Sequence, residues 1–402
     1  MKNSRRFKFI LLVVIMVVFS GTLWLVYKNS TKFHFLTSFS SGVGQLSENN
    51  KTHFLPGFRR INQPSQSIRN DEPEPLIFSG ETIIGMEEKA KGSIGLLSCL
   101  RSIDVDNDKN IYLADYKQSQ IFKFDPGGTL LASIGKEGAG GPGDSLQPAA
   151  LFIRDKHDLF VYDSQLQRLS FFDISGKFND CTKLFDLFGD WVFIDGKHRV
   201  FYRTMEYTTD ESFDALVKTS KDGNKKELLA SFFRKKFDQN KTIIAGGIID
   251  PYFPSLYFAN MSPDHFVFVN NMEPILYIVD TTKDTIALVP LDLKPIPIST
   301  EEKKAYEYSY KNQLQNMHLE SYRPYFYKIL ADNRGRIFAV RLKNCLDKVG
   351  DWKIDMFSPQ GEYLRSVRSP YLPEAIKYDS MYITATDDAG EPIIKKLTIT
   401  NL

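Results

Sequence analysis

A repeated pair of short apolar strands constrains this chain more than any other feature. Ile111–Asp115 precedes Ile121–Asp125, and Leu159–Asp163 precedes Leu169–Asp173, so the closing aspartates stand ten residues apart both times. Related segments end at positions 204, 270, 341 and 385, which gives an average spacing of about 54 residues. A period of this length is typical of repeat architectures in which each unit stacks on its neighbours.

Each unit contains strand, polar turn, strand, loop, strand, glycine turn and strand, which is the chemistry of antiparallel hairpins. Aromatic residues make up 13% of the chain, and they favour strands. The sequence therefore predicts an all-β fold, a six-bladed β-propeller of four-stranded antiparallel blades. The sixth unit lacks a last strand before Leu402. We expect Pro75–Ile84 to supply it and so to close the ring without an open edge.

The unit at 111–128 resembles the NHL repeat in its paired strands, closing aspartates and glycine turn. The glycine-rich segment Ile134–Gly143 is similar to a link in the bacterial "6-bladed beta-propeller" proteins. The resemblance implies the fold and leaves the activity open. Amidating lyases and lactonases have related propellers with metal and acid–base groups in the tunnel, and some NHL propellers bind nucleic acid.

The N-terminus predicts membrane attachment. Four basic residues among the first eight precede Phe9–Tyr27, an uncharged run of 19 residues, which is about the length that spans a bilayer as a helix. We expect a cytoplasmic stub and transmembrane helix over 1–28, a flexible tether over 29–74 and the propeller over 75–402, outside the cytoplasm. The alternative is a cleaved signal peptide and a secreted protein. Small residues at a cleavage site are scarce, because the first alanine is Ala90.

Charge and motif content narrow the functional classes. With 51 basic and 49 acidic residues the net charge is +2, which does not indicate a nucleic-acid partner. Three widely separated cysteines show neither a disulfide framework nor a zinc spacing. His157, His198 and His265 align near equivalent turns, and we interpret them as exposed turn residues rather than metal ligands. We therefore predict no catalytic residue, no metal and no cofactor.

The long insertions share one end of the disc. If the strands of a blade are labelled A to D from the tunnel outward, the A–B and C–D turns lie on one face, called here the turn face. The B–C loops and D–A links lie on the other, the loop face. The segments 135–148, 204–214, 231–254 and 297–324 all belong to the loop face, whereas every turn opposite is short. Because loops on a rigid scaffold carry function, we expect binding on the loop face.

Two groups of residues are candidate ligand contacts on that face. The floor at the tunnel mouth is predicted to contain Arg101, Asp190, Tyr327 and Tyr371. The rim is predicted to contain Tyr306, Tyr310, Tyr322 and Arg323. All four rim residues lie in or just after a helical insertion at about 299–320, where Ser299 and Glu302 have the spacing of a capping box.

Together these features predict a membrane-anchored, extracytoplasmic propeller that acts as a binding or scaffold module. Its ligand is expected to be a protein, a peptide or a glycan, recognised on the loop face. The alternative is a propeller enzyme, a lyase or a lactonase-like hydrolase, with its active site at the tunnel mouth. Because no histidine aligns with the predicted tunnel ring, we expect binding rather than catalysis.

Overall fold

A computed structural model gives the architecture of this chain. It describes residues 52–54, 57–69, 72–85, 97–137, 141, 144–145, 147–154, 158–184, 187, 191–207, 211–220, 223, 225–236, 252, 254–309, 321–344, 346, 350–388, 390 and 392–402. The residues from Thr52 to Leu402 form one compact unit. The predicted transmembrane segment at 9–27 lies outside the described residues, and the described part of the chain contains no helix long and apolar enough to cross a membrane.

Four short strands precede the first blade. They are β1 (Thr52–Phe54), β2 (Arg59–Asn62), β3 (Glu74–Pro75) and β4 (Phe78–Ile84). The first three blades then follow in chain order. Blade 1 contains β5 (Leu100–Val105), β6 (Ile111–Asp115), β7 (Gln120–Phe124) and β8 (Leu130–Ile134). After the short parallel pair β9 (Lys136–Glu137) and β10 (Asp144–Ser145), blade 2 contains β11 (Pro148–Arg154), β12 (Asp158–Asp163), β13 (Arg168–Asp173) and β14 (Phe178–Lys183). Blade 3 contains β15 (Val192–Ile194), β16 (Val200–Tyr207), β17 (Glu211–Thr219) and β18 (Lys226–Lys236).

The remaining three blades complete the ring. Blade 4 contains β19 (Leu256–Ser262), β20 (His265–Asn270), β21 (Ile275–Asp280) and β22 (Thr285–Pro290). Helix α1 (Thr300–Ser309) lies in the link to blade 5, which contains β23 (Phe326–Ala331), β24 (Ile337–Arg341), β25 (Trp352–Phe357) and β26 (Tyr363–Ser369). Blade 6 contains β27 (Ala375–Lys377), β28 (Ser380–Thr386) and β29 (Pro392–Ile399). Its fourth strand is β4, which pairs antiparallel with β29 from Ile84 opposite Ile394 to Phe78 opposite Ile399. The predicted six blades and the predicted ring closure are therefore confirmed.

The segment before β4 differs from the predicted tether. β1 pairs antiparallel with β18, and β2 and β3 pair parallel with β22 and β26, so this segment extends blades 3, 4 and 5 to five strands. Phe54 contacts Tyr277 with ring centroids 5.6 Å apart, and Phe58 is buried against Phe201. The backbone hydrogen bonds and aromatic burial hold β1, β2, β3 and Phe58 against the outer blade edges.

The hydrophobic core lies between the blades. Strand B is almost wholly buried in blades 1, 2, 4 and 5, as in Ile111–Asp115, because its two faces pack against the two adjacent blades. The side chains of blades 6 and 1 form one cluster, and those of blades 1 and 2 form the next. Phe193, Phe201 and Phe266 join blades 3 and 4 with ring centroids 5.0 to 6.0 Å apart. These contacts fix the tunnel and the loops that surround it.

The turn face is closed by a repeated aspartate motif. In blade 3 the Asp195 carboxylate accepts backbone hydrogen bonds from Lys197 and Arg199, and the Arg199 Nε lies 2.6 Å from the second carboxylate oxygen. Asp332 and Arg336 repeat this arrangement in blade 5 at 2.7 Å. Each arginine also reaches the next blade, as when Arg199 donates to Asp284 at 2.6 Å. The motif therefore shapes the turn and joins adjacent blades.

Two of the predicted loop-face insertions consist partly of strand. The predicted loop 204–214 is mostly strand, because β16 continues to Tyr207 and β17 begins at Glu211. The predicted link from position 231 is likewise strand as far as Lys236. The backbone groups of 204–207, 211–214 and 231–236 are satisfied by cross-strand pairing, so β16, β17 and β18 are longer than the strands of the neighbouring blades.

Candidate functional site

The central tunnel opens into a cavity of about 430 Å³. Residues from the A strands of five blades line it, and Trp191, just before β15, completes the ring. The cavity lies within the roughly 300–1,000 Å³ typical of small-ligand sites. Of the predicted floor residues, Arg101 and Tyr327 line this cavity. Tyr371 does not line it, and the adjacent Leu372 does. Asp190 lies outside the described residues, directly before Trp191.

Three of the four cations in the cavity lining have a carboxylate partner. The Arg203 guanidinium makes two contacts with Asp214, at 3.0 Å from Nε and 2.6 Å from Nη2. Lys328 forms an ion pair with Glu374. The Lys377 Nζ lies 3.6 Å from Asp104. These pairs satisfy most of the charge on the tunnel wall and fix its side chains.

Arg101 is the fourth cation and differs from the others. Its side chain is exposed, and it forms no hydrogen bond or ion pair with any residue that the structure describes. Its guanidinium carbon lies 5.1 Å from the centroid of the Tyr116 ring. The Tyr116 hydroxyl donates a 2.5 Å hydrogen bond to Gln147, which fixes the ring. A cation–π contact of this kind orients the arginine and leaves its N–H donors available.

Aromatic side chains form part of the tunnel wall. The Trp191 indole stacks on Phe258 with ring centroids 4.1 Å apart and donates a 2.8 Å hydrogen bond to Asn260. Tyr327 packs on Trp352 at 5.0 Å. Sequence reasoning missed Trp191, although it stands next to the predicted Asp190. A tryptophan at the start of an A strand was the signal that could have identified it.

The helical insertion is attached by a buried ion pair. Helix α1 begins with the predicted capping box, in which Glu302 N donates to Ser299 Oγ at 3.1 Å and Ser299 N donates to Glu302 at 3.4 Å. The Glu302 side chain is 0% exposed. It accepts hydrogen bonds from Arg323 at 2.7, 2.9 and 2.7 Å, and from the Tyr252 hydroxyl at 2.5 Å.

This attachment changes the interpretation of the predicted rim. Arg323 lies inside the ion pair, so its guanidinium is committed to Glu302 rather than presented to solvent. Tyr306 is buried, with its ring 5.1 Å from that of Tyr252, and therefore packs α1 onto the propeller. Tyr322 is 49% exposed, as expected for a rim residue. Tyr310 lies outside the described residues.

A group of exposed apolar side chains, called here the loop-face patch, lies in the loop-face segments of blades 4 to 6. Eight large hydrophobic side chains are exposed among the described residues, and five of them lie in loop-face segments. They are Ile296, Tyr308, Tyr322, Leu346 and Tyr371. Tyr308, on α1, is 83% exposed. A bridge between Pro297 and Tyr322 brings the two ends of the insertion together, so Ile296 and Tyr322 are neighbours.

The polar residues at the ends of the B strands have structural roles. Asp115 accepts hydrogen bonds from Lys117 and Gln118 in the following loop and from Ser98 in the preceding link. Asp163 binds Gln147, Gln165 and Leu166 in the same way. These carboxylates tie each B–C loop to its D–A link and so stabilise the loop face.

Other titratable groups do not form a metal centre within the described residues, where no group of three or more His, Cys, Asp or Glu side chains has suitable geometry. His265 is partly exposed, 3.1 Å from Ser262 and 3.5 Å from Asp280. His198 lies in an A–B turn with φ of 58°. Burial raises the pKa of Glu206, near the loop-face end of β16.

Comparison with known proteins agrees with the fold. A protein family described as "6-bladed beta-propeller" matches residues 95–260. Among curated proteins, none is detectably similar to this chain.

Solved structures similar to the chain share its architecture at low sequence identity. A member of the duf4221 family from Bacteroides vulgatus is 12% identical, with a TM-score of 0.51, over 82% of this chain and 99% of that one. A Bacteroides fragilis protein whose name predicts that it is exported is 12% identical, with a TM-score of 0.49, over 85% of this chain and 100% of that one. Virginiamycin B lyase from Staphylococcus aureus is 10% identical, with a TM-score of 0.40, over 80% and 99%. The chain is thus a six-bladed β-propeller whose residues 95–260 are similar to the "6-bladed beta-propeller" family.

Proposed function

We propose that this propeller is a binding module that recognises a polypeptide partner on its loop face. The observation that carries the proposal is the loop-face patch, where five of the eight exposed large hydrophobic side chains are found. Aromatic anchors with a high exposed fraction, such as Tyr308, contribute disproportionately to the binding energy of protein interfaces. The turns opposite are short and are occupied by aspartate motifs that join the blades.

The patch is supported from below. The Glu302–Arg323 pair and the buried Tyr306 hold α1 in place. A rigid support lowers the entropic cost of binding, because less of the surface has to become ordered when a partner binds. Tyr308, on α1, and Tyr322, next to Arg323, therefore lie on a fixed insertion.

The composition of the patch favours a polypeptide over a glycan. Ile296 and Leu346 are aliphatic and exposed, and Ile296 adjoins Tyr322. Glycans present hydroxyl groups and stack chiefly on aromatic faces, whereas peptide side chains fill mixed aromatic and aliphatic surfaces. Lysines at 294, 303, 304 and 343 lie in the same described segments as the patch residues.

The test is selection against the purified full-length chain with a phage-displayed peptide library, in parallel with a glycan array. We expect peptides to be enriched, and Tyr308→Ser with Tyr322→Ser to weaken the selected peptide at least about tenfold. The matched control is Leu131→Ser with Leu364→Ser, because both leucines are exposed on D strands away from the loop face. Glycan binding that depends on Tyr322, without peptide enrichment, would refute the polypeptide assignment. Equal losses of peptide affinity in the two double variants would refute the assignment of binding to the loop face.

We further propose that the module is anchored to a membrane and faces away from the cytoplasm. The support is the apolar run Phe9–Tyr27 and the basic residues before it. Cell fractionation and sequencing of the mature N-terminus test this proposal. We expect a membrane-bound protein that retains residue 9, and a soluble protein that begins near Leu23 would contradict it.

A further inference from the structure

The charge distribution of the tunnel cavity identifies a second site, separate from the loop-face patch. Arg203, Lys328 and Lys377 are each matched by a carboxylate of the wall or of the layer behind it. Arg101 alone lines the cavity without a carboxylate partner among the described residues. The described lining therefore presents one uncompensated positive charge, at the tunnel mouth.

The position of Arg101 favours recognition of a planar anion. Its side chain belongs to β5, whose first residue, Leu100, pairs with Asp115 at the loop-face end of the blade. The Tyr116 ring lies against the guanidinium, and Gln147 fixes that ring in turn. A guanidinium held in this way offers parallel N–H donors that match the two oxygens of a carboxylate.

The other walls of the cavity suit an apolar group. Trp191, Leu256 and Leu372 line the same cavity. The Trp191 N–H is already bonded to Asn260, so its indole contributes mainly apolar surface. The volume of about 430 Å³ accommodates a small organic molecule or the last residues of a peptide.

We propose that the tunnel mouth binds the carboxylate of an organic acid that also carries an apolar or aromatic group. Arg101 holds the carboxylate, and the apolar group lies against Trp191 and Leu372. The carboxylate has two sources with the same chemistry, a free small acid and the C-terminus of a polypeptide. The proposal goes beyond the loop-face patch, because its residues are different.

Calorimetric titration of the full-length chain tests this site with two matched probe pairs. One pair is 3-phenylpropionate and 3-phenylpropionamide, and the other is N-acetyl-alanyl-phenylalanine and its C-terminal amide. Within each pair the shape is conserved and only the acid carries a charge. We expect the acids to bind at least about tenfold more tightly than the amides, because hydrogen bonds to charged groups are the stronger ones. Tighter binding of the dipeptide acid assigns the site to polypeptide C-termini, and tighter binding of 3-phenylpropionate assigns it to small acids.

The variant Arg101→Gln should lose at least about tenfold in acid affinity and leave amide binding unchanged. Its fold should be unaffected, because Arg101 is exposed and forms no ion pair with a described residue, and an unchanged melting temperature verifies this. The control is Arg334→Gln, an exposed arginine of the turn face that pairs with Asp379. Equal binding of acid and amide, unchanged acid affinity in Arg101→Gln, or no saturable binding of either acid up to about 10 mM would each overturn the proposal.

Discussion

Replacement of Arg323 by alanine should release the helical insertion from the propeller. The substitution removes three hydrogen bonds of 2.7 to 2.9 Å from a carboxylate that has no exposed surface. The Tyr252 hydroxyl and the Ser299 amide remain as partners of Glu302. Leaving a buried charge without its ion partner costs about 3–5 kcal/mol, and the remaining donors place this case at about 3 kcal/mol.

The assay is hydrogen–deuterium exchange of α1, because the insertion can open without unfolding the blades. A loss of about 3 kcal/mol corresponds to exchange on the order of 100-fold faster in the helix. A second substitution, Glu302→Gln, in the Arg323→Ala background removes the buried charge and should restore part of the protection. The control is Arg334→Ala, which breaks an exposed pair worth about 0–1 kcal/mol. Exchange of α1 within about threefold of the parent in Arg323→Ala would refute this reasoning.

Three further predictions concern the blades. Burial opposes ionisation of Asp280, but hydrogen bonds within its own turn outweigh it and hold its pKa below the ordinary value. The ionised Asp280 carboxylate therefore stabilises the fold above about pH 4, and this stabilisation is lost as the pH falls. Urea melts should show that Asp280→Asn lowers the free energy of unfolding by about 1–3 kcal/mol at pH 7, and that the difference from the parent shrinks below pH 4. Gly361 has φ of 90°, and an added Cβ would lie 2.7 Å from a methyl carbon of Val289. Gly361→Ala should therefore lower the free energy of unfolding by about 1–3 kcal/mol in the same assay. An unchanged urea midpoint would contradict this packing. Deletion of 1–85 removes β4 and exposes the edge of β29, so the truncated protein should aggregate in light scattering, whereas deletion of 1–51 should not cause aggregation. Equal light scattering from the two truncated proteins would contradict ring closure.

The fold could be predicted from the sequence because each blade repeats the same local chemistry. Buried B strands such as Ile111–Asp115 are continuous apolar runs, and the closing aspartates cap the loops that follow them. The capping box at Ser299 and Glu302 is also a local signal, since its two residues stand three positions apart. Features that depend on residues close together in the sequence could therefore be predicted.

The features that sequence reasoning missed depend on distant partners. β1, β2 and β3 contain only two to four residues each, too few for a periodic pattern, and they are strands because the edges of blades 3 to 5 accept their hydrogen bonds. Arg323 is of a residue type common in binding sites, but its role is set by its ion pair with Glu302, 21 positions earlier. Tyr306 is buried by Tyr252, from a different link. No local pattern encodes these contacts.

Hydrogen–deuterium exchange of a complex between the full-length chain and a selected peptide tests the loop-face assignment most directly. We expect peptide-dependent protection at 292–309, 321–325 and 342–344 with 346, the described segments that carry most of the loop-face patch. The turn-face hairpins Asp106–Asn110 and Asp332–Arg336 should exchange at the same rate with and without peptide. Protection confined to those hairpins, with none on the loop face, would contradict the account.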